Sequence, residues 1–99
     1  MGVRILRYVL ITCSGENVVD FNSAKDIVLY DVVENKIVKR IEKPENLDYL
    51  EELIEQYDPW LLFTLSIDPE LYGYIEETGI KIIIVADKKT VEELIKDYF

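Results

Sequence analysis

Residues 46–99 read NLDYLEELIEQYDPWLLFTLSIDPELYGYIEETGIKIIIVADKKTVEELIKDYF, and helix and strand signals alternate along them. Asn46 can cap a first helix, with Asp48 and Glu51 near the positive end of its dipole. Leu47, Leu50, Leu53, Ile54 and Tyr57 recur at helical spacing and predict its buried stripe. Asp58-Pro59 stops that helix, and Trp60 to Leu65 predicts a strand. Asp68-Pro69-Glu70 then combines a cap, a proline at the first helical position and an acid in the first turn. Leu71, Tyr74 and Ile75 give this second helix its apolar side, and Gly79 ends it. Ile80 to Ala86 predicts another strand. Thr90-Val91-Glu92-Glu93 has the pattern of a capping box, ahead of Leu94, Ile95 and Tyr98 facing the sheet. Helix, strand, helix, strand, helix is the order of parallel strands joined by helical crossovers, an α/β architecture.

Working back from there, Val3 to Thr12 is rich in β-formers and predicts a first strand, its continuous apolar end suited to burial on both faces. Cys13-Ser14-Gly15-Glu16-Asn17 breaks it as a loop. Asp26 to Val33 and Ile37 to Glu42 predict two more strands around a tight turn at Glu34-Asn35-Lys36, where Asn35 best tolerates a left-handed backbone. Lys39, Arg40 and Glu42 suit a sheet edge. A hairpin followed by strand–helix units places the first strand centrally. The expectation is a single domain over residues 1–99 with a ribonuclease H-like, three-layer topology. It would hold a five-stranded mixed sheet in the order 3-2-1-4-5, strands one to three an antiparallel meander, with helices on both faces. In open sheets of this kind ligands sit beyond the carboxyl ends of the strands, where the order reverses. Here that point lies between the first and fourth strands.

Composition narrows the function. The chain is 49% apolar and 31% charged, a globular mixture. A net charge of −9 repels a polyanion and argues against nucleic acid. The longest uncharged apolar runs, such as Ile82 to Ala86, are too short to cross a bilayer, so no membrane is expected as partner. Met1-Gly2-Val3-Arg4 leads straight into the first strand without a separate signal-peptide hydrophobic region, and a cytoplasmic location is expected. Abundant Ile, Glu and Lys suit a heat-adapted organism. The one cysteine, Cys13, and the lack of any histidine exclude an intramolecular disulfide, a Cys/His metal cage and the Ser-His-Asp or Cys-His nucleophilic sets. A ribonuclease-type carboxylate site needs an acid on the first strand, and Val3 to Thr12 has none. Asp20, Asp26 and Asp31 show no spacing that makes them converge. Nothing points to an enzyme.

Four segments carry a resemblance: Asp20-Phe21-Asn22-Ser23-Ala24, Ile67-Asp68-Pro69, Glu77-Thr78-Gly79-Ile80-Lys81 and Thr90-Val91-Glu92-Glu93-Leu94. By their order and spacing, roughly residues 7–99 resemble the dinitrogenase iron–molybdenum cofactor-binding family, small domains that build or carry that metal cluster. The resemblance implies a non-catalytic carrier of an iron–sulfur or iron–molybdenum cluster, with Phe21 at its site. The departures are as telling. Asp20 and Asn22 stand where the family's His-Phe-Gly-x-Ala segment has His and Gly. Leu65-Ser66 replaces a Gly-Gly pair, Asp68 replaces a glycine, and Pro44-Glu45-Asn46 stands where many members have a stretch containing glycine and cysteine. Glycines in such loops let backbone N–H groups approach an anionic ligand, whereas larger side chains and added carboxylates block and repel it. Cluster binding is thus expected to be weakened or lost.

The residues themselves place Cys13 at the carboxyl end of the central strand. It reads either as a thiolate ligand or redox-sensitive thiol, or as a small buried hydrophobe. Ser14-Gly15 and Ser66 with Asp68 converge on the same rim, either as a small polar pocket or, for Asp68, as a helix cap. With Phe21 these make the expected cofactor-binding set: Cys13, Ser14, Gly15, Phe21, Ser66 and Asp68. Tyr49 and Tyr72 fall off the apolar stripes and are expected to be partly exposed, as in a protein interface. Two functions follow: a carrier of a metal cluster or small ligand, or an interaction module that kept the fold without the ligand and meets a protein partner or a second copy of itself.

Overall fold

A run of apolar residues on both sides of one strand organises the molecule. The computed structural model describes residues 6–43 and 46–99. Strand β1 (Tyr8–Ser14) is buried along its middle five residues and has neighbours on both sides. On one side lie the antiparallel strands β3 (Asp26–Asp31) and β4 (Lys36–Glu42). On the other lie the parallel strands β5 (Leu61–Thr64) and β6 (Lys81–Ile84). Helix α1 (Asp48–Tyr57) links β4 to β5, α2 (Pro69–Glu77) links β5 to β6, and α3 (Val91–Tyr98) follows β6. A two-residue strand β2 (Asn17–Val18) folds back on β1, pairing Cys13 with Val18 and Ser14 with Asn17.

The result is an α/β domain with a mixed sheet. The five strands expected become six, and the order 3-2-1-4-5 is corrected to β4-β3-β1-β5-β6, with β2 off that path and paired to β1. The cause is local. Gly15-Glu16 forms a two-residue turn with Gly15 at φ 61°, positive at the first central position only, which returns the chain at once. Cys13 and Ser14 therefore continue the ladder instead of breaking it, and β1 ends two residues later than expected. Leu6 and Arg7 lie outside β1, and the expected start at Val3–Ile5 falls outside the described residues. The second meander strand stops at Asp31, not Val33. The Asp31 carboxylate accepts the N–H groups of Val33 (2.9 Å) and Glu34 (3.0 Å) and turns the chain toward Asn35, at φ 58°.

Two cores sit back to back across the sheet. Val9, Ile11, Cys13, Val28, Tyr30 and Phe63 face α3, which contributes Val91, Leu94 and Ile95. Leu10, Ile27, Leu29 and Leu62 face the opposite layer, built from Tyr49, Leu50 and Leu53 of α1 and Ile75 of α2. Each large aliphatic side chain so buried is worth about 1.5–3 kcal/mol. Tyr49 is buried, against expectation, because it packs beside Leu50 and Leu53 instead of lying off their stripe. Tyr74 is exposed despite its place on the expected apolar side, its hydroxyl donating to Glu51 at 2.8 Å. Tyr98 is half exposed, yet its ring rests on Phe63 with centroids 5.0 Å apart. Leu47, not Asn46, is the N-cap of α1; Asn46 Oδ1 accepts the Asp48 N–H one step earlier. No helix among the described residues is long and apolar enough to cross a membrane.

Candidate functional site

One threonine stands near the carboxyl end of each of β1 and β5: Thr64 is the last residue of β5, and Thr12 lies two residues before the end of β1. Thr12 and Thr64 are fully buried, with their hydroxyl oxygens 2.8 Å apart. A buried hydroxyl needs a partner. Thr12 finds it in the segment that follows β2, where the Val19 carbonyl accepts from Thr12 Oγ1 at 2.6 Å and from the Leu65 N–H at 3.3 Å. Thr64 Oγ1 has the Ser66 carbonyl at 3.1 Å as a nearer acceptor than the Val19 carbonyl at 3.3 Å. The Val19 N–H donates to the Thr12 carbonyl at 3.1 Å. Residues 17–24 thus run across the reversal point and fill it with the chain's own backbone.

Phe21 drives the same segment into the core on the α1–α2 side, where it is almost fully buried, and its N–H donates to the Ser66 carbonyl at 2.9 Å. Asn22 Nδ2 donates to Asp68 Oδ2 at 3.1 Å. Asp68 makes no side-chain cap to α2, so its carboxylate serves the neighbouring segment rather than its own helix. Lys43, just beyond β4, donates from Nζ to the Phe21 carbonyl and to the Asn22 carbonyl at 3.2 Å, with its charge 5.0 Å from the centre of the Phe21 ring. Burial pulls the Lys43 ammonium below its usual range, partly offset by Asp20. Burial pushes the Asp20 carboxyl up, but the Ser23 N–H and hydroxyl and the Lys43 charge outweigh it and hold it below the ordinary value.

Cys13 lies on the other face. Its thiol is buried in the core beneath α3, beside its β2 partner Val18. Arg40 Nη1 lies over it, 3.3 Å from Sγ, 3.0 Å from the Gly15 carbonyl and 3.1 Å from Asp26 Oδ2. Burial pushes the thiol up, against the pull of Arg40, so Cys13 is a neutral thiol at pH 7. The thiolate is the metal ligand and nucleophile, and this environment disfavours it.

The six residues expected to bind a cofactor therefore divide. Phe21, Ser66 and Asp68 meet through the bonds just described. Cys13 and Ser14 lie in β1, and Gly15 forms the exposed turn to β2, on the side tied to α3 by the Val91 N–H donating to the Glu16 carbonyl at 2.8 Å. Two shallow concavities flank this second group. One, about 490 Å³, runs between α3 and the outer strands and is lined by Tyr30, Ile37, Arg40, Val91 and Ile95 among others. The other, about 280 Å³, lies between β2 and the β6–α3 loop with Lys88 and Lys89 on its wall. Among the described residues, no three or more Cys, Asp or Glu side chains are grouped to hold a metal ion. Thr12, Thr64, Val19 and Lys43 were not singled out as site residues from sequence, and Asn22 only as a replacement for a glycine. The one signal for the two threonines is a polar residue near the carboxyl end of an otherwise apolar strand, twice.

No family model and no curated protein matches the chain. Solved structures do share its fold. The apo form of the orange protein from Desulfovibrio gigas superposes with a TM-score of 0.71 at 13% identity, over 97% of this chain and 89% of that one. A NifB-type protein of the DUF35 family from Thermotoga gives 0.72 at 15% identity, over 94% and 87%. A dinitrogenase-type protein from Methanocaldococcus jannaschii gives 0.69 at 14%, over 93% and 86%. At these identities the likeness is one of fold.

Proposed function

We propose that this single domain is a non-catalytic, carrier-type protein on a ribonuclease H-like scaffold, distantly related to the iron–molybdenum cofactor-binding proteins, in which metal-cluster binding is weakened or lost. The observation that carries the reading is the reversal point itself, where the Val19 carbonyl takes the buried Thr12 hydroxyl and Phe21 packs into the core beside it. The residues present do not fit a metal cluster. The one thiol is neutral and buried, histidine is absent, and the glycines that the resemblance implies in these loops are replaced by Asn22, Leu65-Ser66 and Asp68. The fold shared with the NifB-type and dinitrogenase-type proteins supports the distant relationship in this reading. Anaerobic incubation with iron–sulfur and iron–molybdenum clusters, followed by desalting and metal analysis, tests it. Well under one cluster per chain is expected. A stoichiometric chromophore lost in Cys13→Ser would overturn the weakened-binding half.

A second reading, an interaction module for a protein partner or a second copy, has its own support. Tyr72 and Tyr74 are exposed on α2 on either side of Gly73. Between residues 46 and 80 there is no Lys or Arg to neutralise the acids around them. Light scattering is the direct check. A dimer that reverts to monomer in Tyr72→Ser/Tyr74→Ser supports this reading, and a strict monomer at all concentrations removes the second-copy form of it.

A further inference from the structure

We propose that residues 17–24 form a latch that occupies the reversal-point crevice as an intramolecular ligand, with Lys43 as its catch. The latch is bounded by the Gly15-Glu16 turn at one end and by Lys25 at the entry to β3 at the other. Between Val19 and Lys25 it has no strand or helix of its own. It is held by discrete bonds to three different places. Val18 N–H donates to the Lys89 carbonyl at 2.9 Å, the Val19 peptide group bonds to Thr12 and Leu65, and Phe21 N–H donates to Ser66. Lys43 draws the carbonyls of Phe21 and Asn22 together from outside and lies against the Phe21 ring.

What the latch covers has the character of a binding site. One buried hydroxyl, that of Thr12, and the Leu65 N–H converge on a single acceptor oxygen, with the Thr64 hydroxyl next to them and an apolar slot alongside that takes an aromatic ring. Such a cradle suits a small molecule presenting an acceptor oxygen next to an apolar ring, copying the Val19 carbonyl and the Phe21 side chain. Val18 pairs with Cys13 and shares its core cluster, so lifting the latch would also remove one of the side chains packed around the thiol. Segments that open for function are drawn from the low-stability end of a fold. The latch itself stands on these contacts. Only its purpose, admitting a ligand, rests on the carrier reading.

Native-state hydrogen exchange with increasing urea, run beside iodoacetamide labelling of Cys13, is the test. The N–H groups of Val18, Val19, Phe21 and Leu65 should share one opening step, at least tenfold more frequent than that of Leu10, Leu29 and Leu62 and almost independent of urea. Cys13 labelling should follow the same step. Lys43→Met keeps the aliphatic stem over Phe21 but loses the charge and both bonds, and should raise latch opening and Cys13 labelling about tenfold. Lys36→Met, at the far end of β4 from Lys43, should change neither. Latch groups exchanging at the rate and urea dependence of the core would overturn the proposal, as would Lys43→Met without effect. Neither readout needs a ligand, so failed cluster loading would count against the carrier reading and leave the latch standing.

Discussion

The hydroxyl of Tyr49 is buried with no hydrogen-bond partner among the described residues, and burial alone pushes its pKa up to about 12. An unsatisfied buried donor costs about 1–3 kcal/mol. Tyr49→Phe removes that cost while keeping the ring between Leu50 and Leu53, so urea unfolding should show a gain of about 1 kcal/mol. A loss would mean the hydroxyl has a partner in solution. Asp31 is the opposite case, a buried carboxylate with both oxygens bonded, Oδ1 accepting from the Val33 and Glu34 N–H groups and Oδ2 from Arg7 Nε. Burial pushes its pKa up, but the N–H of Glu34, the Arg7 guanidinium at 2.8 Å and the N–H of Val33 outweigh it and hold it below the ordinary carboxylate value. A group whose pKa falls on folding adds stability at pH values above its unfolded pKa, and that stability is lost as pH drops through the folded one. Stability should therefore be flat near neutrality and fall in acid, below the ordinary carboxylate pKa. Asp31→Asn should be less stable than wild type at neutral pH and lose less than wild type on acidification, as urea midpoints across a pH series would show. Parallel curves for the two proteins would assign the acid sensitivity elsewhere, to Asp20 first.

Glycines separate what an element needs from what it tolerates. Gly79 ends α2 at φ 95°, where an L side chain is strained, so Gly79→Ala should cost stability. Gly73 sits in the middle of α2, and a methyl group there would meet nothing within 4 Å. Helix-interior glycine is about 0.5–1 kcal/mol worse than alanine, so Gly73→Ala should raise the midpoint of thermal unfolding. No gain would mean that α2 frays before the rest of the fold unfolds. The same logic explains which elements were legible in the sequence. The helix over 69–77 announced itself through Pro69 and Gly79, and the one over 91–98 through Thr90 and Glu93, whose reciprocal capping bonds are both present. Those signals are local and need no tertiary context. Strand β2 has two residues and no pattern to read, so the sheet gained a strand that composition could not show. The site failed for a related reason. Asp68 looks like a cap from its Pro69-Glu70 context, and only the fold brings Asn22 close enough to take its carboxylate instead. Val19 is unremarkable in sequence, and its importance lies in a carbonyl that any residue would supply.

Charge is segregated across the molecule. Asp48, Glu51, Glu52, Glu55, Asp58, Asp68, Glu70, Glu76 and Glu77 are all exposed on or beside α1 and α2, in a span with no Lys or Arg. Lys25, Lys36, Lys39, Arg40 and Lys43 gather on and around the β3–β4 edge. The arrangement works against the fold: like charges repel, and Glu76 and Glu77 stand at the negative end of the α2 dipole. In the interaction module proposed above, a partner meeting this acidic face would be cationic. Raising salt from 0.01 M to 0.1 M shortens the screening length from about 30 Å to about 10 Å. Stability should therefore rise with NaCl over that range. Glu77→Lys should stabilise by about 0.3–1 kcal/mol at low salt by answering the dipole, and most of that gain should vanish in 0.5 M NaCl. Urea midpoints of both proteins at three salt concentrations decide it. Stability that falls with salt would show that attractions between the acidic helices and the basic edge outweigh the repulsion within the helical layer, and the argument for a cationic partner at that face would fail with it.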